Sequence, residues 1–178
     1  MGFRLARVPL VEFDHTLTIG GTDITLRTNQ PVVWVRLVPW AGSTTEAVAF
    51  PAVVDTGNNH SFLIPGPLFR VWAGQDLDSL TPTRTLSTVN GHAVSCYGFN
   101  LELLRLSEDG GPVERVAARL QTGQGVAVVP DSLAAHFPRL PVLGVRCLIV
   151  NRTRFALDGD MRTFSLTQAS VPRIRRPS

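Results

Sequence analysis

The sequence has no lysine and only two cysteines among its 178 residues. Cys96 and Cys147 cannot form the dense disulfide framework of a small secreted domain, and two thiols do not make a cysteine-rich metal site. No apolar run is long enough to cross a bilayer, and the stretch Val145–Val150 is both short and interrupted by Arg146. Charged residues make up only 17% of the chain against 44% hydrophobic residues, so the composition predicts a real core rather than a disordered chain.

The positive charge is confined to one end of the chain. All 17 basic residues are arginine, three of them lie in the last six residues, and the preceding 172 residues balance 14 Arg against 14 Asp plus Glu. The body therefore lacks the basic stripe typical of a nucleic-acid-binding domain. Residues Met1–Leu10 also lack the apolar region of a signal peptide. We expect a protein that binds neither nucleic acid nor membrane and is cytoplasmic.

Short β-branched and apolar runs, separated by Pro, Gly, Asn and Asp, predict many strands and few helices. The dipeptides Asn90-Gly91 and Asp158-Gly159 are strong signals for β-hairpins. The predicted strands are Val32–Val38, Ala47–Val54, Ser61–Ile64, Thr83–Val89, His92–Leu106, Val113–Gln121, Val126–Val129, Arg154–Leu157 and Met161–Leu166. Short helices are predicted over Pro67–Ala73, Ser132–Phe137 and Gly144–Val150.

These patterns predict one all-β domain that is closed, or nearly closed, on itself. We assign residues 23–168 to this domain, residues 1–22 to an N-terminal extension and residues 169–178 to a basic C-terminal tail.

The segment Val53-Val54-Asp55-Thr56-Gly57 contains the main candidate for a catalytic residue, Asp55. Two apolar residues bring the chain out of a predicted buried strand, and Asp55 then lies at its end on a tight loop. Thr56 offers a hydroxyl that can brace the loop, and Gly57 allows backbone to approach closely. Asp and Gly are also ordinary turn residues, so the tripeptide alone does not separate a catalytic loop from a plain turn.

The surroundings of the tripeptide resemble the active-site segment of retropepsins, the retroviral-type aspartic proteases, and of their single-domain cellular relatives. In that family an apolar strand enters Asp-Thr-Gly and a second apolar stretch follows, as Phe62–Ile64 does here. Pro141-Val142-Leu143-Gly144 resembles the second signature, which crosses behind the active-site loop in a psi-shaped arrangement. The hairpin around Asn90-Gly91 lies where the family has its flap. The resemblance spans about residues 30–166.

The resemblance implies a closed β-barrel with a psi-loop active site, a flap hairpin and one or two short helices. It also implies an aspartic endopeptidase, an acid protease that hydrolyses peptide bonds and needs no cofactor. Because the chain has a single Asp-Thr-Gly, the two carboxylates would come from Asp55 of each chain in a homodimer. Thr56 would bond across to the other loop, Asn58 and Asn59 would contact the substrate backbone, and Asn90 and Gly91 would cover the bound peptide.

Three departures from the family pattern keep a second interpretation open. One is an insertion between Pro65 and Thr83, which lengthens the region before the flap, and the other two are single residues. Asn58 stands where the family usually has Ala or Ser, and Arg146 stands where Asp or Asn is common. The alternative is a catalytically silent domain that has kept the fold for dimerisation or peptide binding. A third hypothesis is an unrelated β-barrel binding module with a chance Asp-Thr-Gly.

Other catalytic constellations are weak. The four histidines have no metal-ligand spacing, so no metal site is predicted. His92 and Cys96 share a face of one predicted strand, which admits a Cys–His pair, although two ordinary strand residues are the more frequent case. There is no Gly-x-Ser-x-Gly elbow and no phosphate-binding glycine loop.

Overall fold

A computed structural model describes residues 2–41, 47–89, 92–107, 111–136 and 140–169. Within these residues the strands are β1 (Arg4–Pro9), β2 (His15–Ile19), β3 (Thr22–Leu26), β4 (Val32–Pro39), β5 (Phe50–Asp55), β6 (Phe62–Pro65), β7 (Arg84–Val89), β8 (His92–Tyr97), β9 (Phe99–Leu106), β10 (Pro112–Leu120), β11 (Val126–Val129), β12 (Val142–Gly144), β13 (Thr153–Asp158) and β14 (Thr163–Gln168). The helices are α1 (Gly66–Ala73), α2 (Val145–Val150) and two 3₁₀ helices over Leu77–Ser79 and Asp131–His136. The predicted all-β class and the few short helices are confirmed.

The strand predicted over His92–Leu106 is in fact two strands, β8 and β9, separated at Gly98. A Cβ at Gly98 would lie 2.9 Å from the Trp40 ring, and the Gly98 carbonyl accepts a hydrogen bond from the Trp40 backbone N–H at 2.8 Å. The close approach of the chain after β4 therefore requires a residue without a side chain at this position.

The strands form three sheets. The largest has the order β10-β9-β4-β5-β12-β6-β11-β8-β7, the second has the order β1-β14-β13, and β2 pairs with β3. Closure of the large sheet into the predicted barrel would require β10 to pair with β7, and these strands form its opposite edges. The described residues therefore form no closed barrel, and this part of the prediction is not borne out.

One hydrophobic cluster joins the three sheets and α1. Val33, Val35 and Leu37 of β4 lie in it together with Leu5 of β1 and Phe164 of β14. Phe3, Leu5, Val8 and Leu10 are all buried there, so residues of the predicted N-terminal extension belong to the same core as the sheets.

Helix α1 covers one face of the large sheet. Proline in its first turn suits the helix start, and Gly74 ends it in a left-handed conformation with φ 62°. Trp72 is fully buried, stacks on Phe50 at a ring distance of 4.8 Å and donates a hydrogen bond to the Ile19 carbonyl at 3.0 Å. Of the helices formed by the described residues, none has the length and apolar character needed to cross a membrane.

Candidate active site

Asp55 is the last residue of β5 and lies at the surface. The residues that lead to it are mostly buried, with Ala52 and Val54 in the core, whereas Asp55, Thr56 and Gly57 are exposed. The Gly57 backbone N–H donates to Asp55 Oδ1 at 2.9 Å, and the Asn58 backbone N–H donates to the Asp55 carbonyl at 3.2 Å. The loop therefore folds around the carboxylate, which accepts a backbone N–H as Asp commonly does in turns.

Strand β12 lies between β5 and β6, the two strands that the Asp55 loop connects. It runs parallel to β5 with Gly144 opposite Asp55, and antiparallel to β6 with Leu143 opposite Phe62. This strand order is the psi-shaped crossing predicted for Val142–Gly144. A segment almost ninety residues further along the chain thus supports the loop from behind.

Two backbone hydrogen bonds join the end of β12 to the loop. The Val145 N–H donates to the Asn58 carbonyl at 2.9 Å, and the Gly144 N–H donates to the Ser61 carbonyl at 3.2 Å. A Cβ built on Gly144 would lie 2.0 Å from the His60 carbonyl oxygen and 2.7 Å from that of Asn58. Only glycine fits at this crossing, which gives a physical reason for the glycine of the second signature.

The Asn58 side chain serves the loop itself. Its Oδ1 accepts a hydrogen bond from the His60 backbone N–H at 2.9 Å. The carbonyl end of the amide is therefore engaged within the loop and is not turned toward the Asp55 carboxylate, whereas Asn59 is exposed. His60 is buried, and its burial, together with the positive charge of Arg146, lowers the pKa of its imidazole.

Asp55 and Thr56 line an open cleft of about 630 Å³. Its walls come from four parts of the chain: β3 with the segment after it, β5, the surroundings of β12, and β13. The lining residues are Thr25, Arg27, Asn29, Gln30 and Pro31 from the first part, Val53 and Val54 from β5, Leu140 and Val142 from around β12, and Phe155 and Leu157 from β13. Most of this lining is apolar, with Asp55 on one side, as expected of a site that binds a partly apolar ligand.

Sequence reasoning missed the contribution of β13 and of the segment that carries Arg27. Alternation of Phe155 and Leu157 with Arg154 and Ala156 was a detectable signal for a two-faced strand. Nothing in that pattern shows that its apolar face reaches Asp55, because the placement depends on the pairing of β13 with β14 and of β14 with β1.

Arg27 is held at the rim of the cleft by Asp14. The Arg27 Nη1 to Asp14 Oδ2 distance is 2.7 Å, and Asp14 Oδ1 accepts hydrogen bonds from the backbone N–H and the hydroxyl of Thr28. The backbone bond from Thr28 and the Arg27 guanidinium lower the pKa of Asp14 to about 2. Both side chains are substantially exposed, so this pair orients Arg27 more than it stabilises the fold.

The side chain of the second departing residue, Arg146, contacts Gln124. Its guanidinium donates a hydrogen bond to the side-chain oxygen of Gln124. Cys147, the next residue, is buried, and burial raises the pKa of its thiol to about 12. A thiol held this far from ionisation is a packing residue rather than a nucleophile.

The rival constellations do not assemble in the described part of the chain. His92 is exposed whereas Cys96 is buried, and residues four apart on a strand are about 13 Å apart, so they form no Cys–His pair. No group of three His, Cys, Asp or Glu side chains capable of holding a metal occurs among the described residues.

The predicted flap residues Asn90 and Gly91 lie outside the described residues. Strands β7 and β8 on either side of them pair antiparallel, with Arg84 opposite Cys96 and Val89 opposite His92, so the two arms of the hairpin are confirmed. This hairpin forms one edge of the large sheet. Its role as a flap stays a prediction.

Comparison of the chain with protein-family models, with curated proteins and with solved structures found no match.

Proposed function

We propose that this chain is an aspartic endopeptidase of the retropepsin-like type, active as a homodimer in which each chain supplies one Asp55. The observation that carries the proposal is the psi-shaped crossing, which holds an exposed Asp55 at the end of a buried strand and at the side of a largely apolar cleft. A plain Asp-Thr-Gly turn needs no strand inserted between the two strands that it connects. We place this activity in the cytoplasm, in keeping with two buried cysteines, Cys96 and Cys147, that form no disulfide.

The chemistry follows from two carboxylates at one site. Like charges a few ångströms apart do not both ionise, so the two Asp55 side chains share one proton, as the aspartic proteases illustrate among known enzymes. The ionised carboxylate takes a proton from water while the water oxygen bonds to the peptide carbonyl carbon. The protonated carboxylate donates a hydrogen bond to the carbonyl oxygen. When the C–N bond breaks, the carboxyl group that took the proton from water delivers it to the leaving nitrogen, and the pair again shares one proton.

The surrounding residues have distinct roles in this proposal. Gly57 holds the Asp55 carboxylate through its backbone N–H, and Thr56 of each chain braces the partner's loop. Asn59 is exposed beside the loop and is available to substrate backbone. The side-chain oxygen of Asn58 is used within the loop, so the contact of Asn58 with substrate runs through its amide nitrogen.

A catalytically silent peptide-binding or dimerisation domain is the second candidate. It is favoured by Asn58, which stands where the family usually has Ala or Ser, and by a cleft whose apolar walls suit a peptide without any chemistry at Asp55. The two candidates predict the same binding and differ in hydrolysis.

The test is hydrolysis of a mixed peptide library at mildly acidic pH, read by mass spectrometry with and without pepstatin. We expect cleavage that pepstatin blocks and that falls about a hundredfold or more in Asp55→Asn, because the amide cannot share a proton. Asp78→Asn is the matched control, since Asp78 is exposed and does not line the cleft. Peptide binding without cleavage by the wild-type chain would favour the silent domain, and cleavage by a well-folded Asp55→Asn chain would end the protease proposal.

A further inference from the structure

Among the strands that the described residues form, β13 is an edge of the sheet β1-β14-β13, with a partner on one side. All six of its residues pair with β14 without a register shift. The other edge of the same sheet is irregular, because β1 has a register shift between Leu5 and Val8, a left-handed Arg7 with φ 54° and a proline at position 9. Bulges and prolines of this kind prevent further strand pairing, whereas a regular edge invites it.

The hydrogen-bond pattern identifies which backbone groups of β13 face outward. The Ala169 N–H donates to the Arg152 carbonyl, and the Gln168 N–H donates to the Phe3 carbonyl of the segment that leads into β1. Since bonding alternates along an antiparallel pair, residues 154, 156 and 158 direct their backbone groups at β14. The N–H and C=O groups of Thr153, Phe155 and Leu157 therefore point to the open edge.

The side chains on this edge are self-complementary. Arg154, Ala156 and Asp158 lie on one face of β13 and are exposed. Phe155 and Leu157 lie on the other face and line the Asp55 cleft, and the Leu157 side chain is 59% exposed. An antiparallel copy of β13 centred on Ala156 places Phe155 opposite Leu157 of the second chain and Arg154 opposite its Asp158.

We propose that two copies of this chain dimerise through β13, which forms a continuous six-stranded sheet across a two-fold axis at Ala156. The outward groups of Phe155 and Leu157 then exchange four backbone hydrogen bonds with the second copy, and Arg154 and Asp158 form two equivalent ion pairs. Hydrogen bonding between the two copies requires that outward-facing residues lie opposite each other, which limits the possible registers. Of these registers, the one centred on Ala156 places Arg154 of each chain opposite Asp158 of the other.

This inference rests on the proposed function in one respect, because it supplies the second carboxylate. Asp55 and the apolar face of β13 line the same cleft, so a two-fold axis at β13 brings a second cleft, with its own Asp55, against the first. Helix α2 packs against β13 and exposes the apolar side chains of Ile149 and Val150, which we expect to add to the buried area that a stable dimer needs.

The test is a charge exchange on β13, read by sedimentation velocity over a range of concentrations. In Arg154→Asp the two ion pairs become Asp–Asp contacts, and in Asp158→Arg they become Arg–Arg contacts. We expect each variant to raise the dimer dissociation constant about tenfold or more. An equimolar mixture restores a dimer, because every contact in the mixed pair is then Asp opposite Arg.

The mixture also controls for folding, since restoration requires both variants to be folded. Asp158 additionally accepts a hydrogen bond from the Met161 N–H at 3.0 Å, which Asp158→Asn keeps while removing the charge. Arg4→Asp, the same charge change on the opposite edge strand, is expected to leave the dissociation constant unchanged.

The outcomes separate this interface from the protease proposal. A dimer that responds to the exchange but cleaves nothing would support the interface and count against the proposed function. A pepstatin-sensitive protease that ignores both substitutions, or whose mixture does not recover, would overturn the interface alone. A wild-type chain that is monomeric at all concentrations would also overturn it.

Discussion

Gly144 is the residue on which the Asp55 loop depends most directly. Its missing side chain lets β12 reach the carbonyl oxygens of Asn58 and His60, and both oxygens belong to backbone that cannot move without opening the loop. Glycine is therefore required at position 144 by the packing of β12 against the loop, whether or not the site is catalytic.

We expect Gly144→Ala to lower the free energy of unfolding by about 3 kcal/mol or more, because the added methyl group must displace backbone. Urea unfolding measures the change. Gly159→Ala is the matched control, since a Cβ at Gly159 meets no atom within 4 Å, and a change below about 0.5 kcal/mol is expected there. Equal effects at both positions would mean that β12 does not cross behind the loop.

His60 makes the loop sensitive to acid. Burial, reinforced by the charge of Arg146, lowers the pKa of His60 in the folded chain, whereas in the unfolded chain it titrates near its ordinary value of about 6.5. The unfolded state therefore binds more protons as the pH falls through 6.5, and stability is present above this pH and lost below it.

We predict that the melting temperature of the wild-type chain falls between pH 7 and pH 5 and that His60→Gln reduces this slope. The absolute stability of the variant is not the readout, since the substitution also changes packing. His15→Gln, at a partly exposed histidine outside the loop, should leave the slope as in the wild type. An unchanged slope in His60→Gln would show that other groups cause the acid sensitivity.

At the scale of elements, local pattern predicted most of the strands from β4 onward but none of β1, β2 and β3. The strand over 126–129 and the helix that ends at Ala73 match their predicted bounds closely. Both are specified by neighbouring residues, the strand by its β-branched residues and the helix by Pro at its start and Gly after its end. The psi-shaped crossing was predictable only through resemblance, because no short-range signal specifies that Val142–Gly144 pairs with β5. The place of β13 beside Asp55 had no sequence signal.

The flap prediction concerns the hairpin formed by β7 and β8. The Asn90-Gly91 sequence favours a type I′ turn, in which both central residues need φ above zero. We expect Gly91→Val to lower kcat/KM for a peptide by about tenfold, because a β-branched residue opposes that turn, while the melting temperature changes little. Gly159→Val, in the hairpin of β13 and β14, serves as the comparison. Unchanged kinetics in Gly91→Val would place the flap in the stretch from Trp72 to Thr83.

At the scale of the whole molecule, the charge exchange on β13 allows a dimer with a single Asp55 to be assembled. One chain carries Arg154→Asp and Asp55→Asn, and the other carries Asp158→Arg alone. We expect this mixed dimer to form normally yet to cleave peptide about a hundredfold or more slowly than the mixed dimer with both Asp55 residues. Equal cleavage by the two would mean that one carboxylate is enough and that the proposed dyad is wrong.

The insertion of β12 between β5 and β6 also sets when the site can exist during synthesis. Asp55 is translated before the strand that supports its loop, because that strand ends at Gly144, almost ninety residues later. Pairing over so long a separation is slow and follows local structure. The proposed activity therefore begins only after β12 has been synthesised and has paired beside the Asp55 loop.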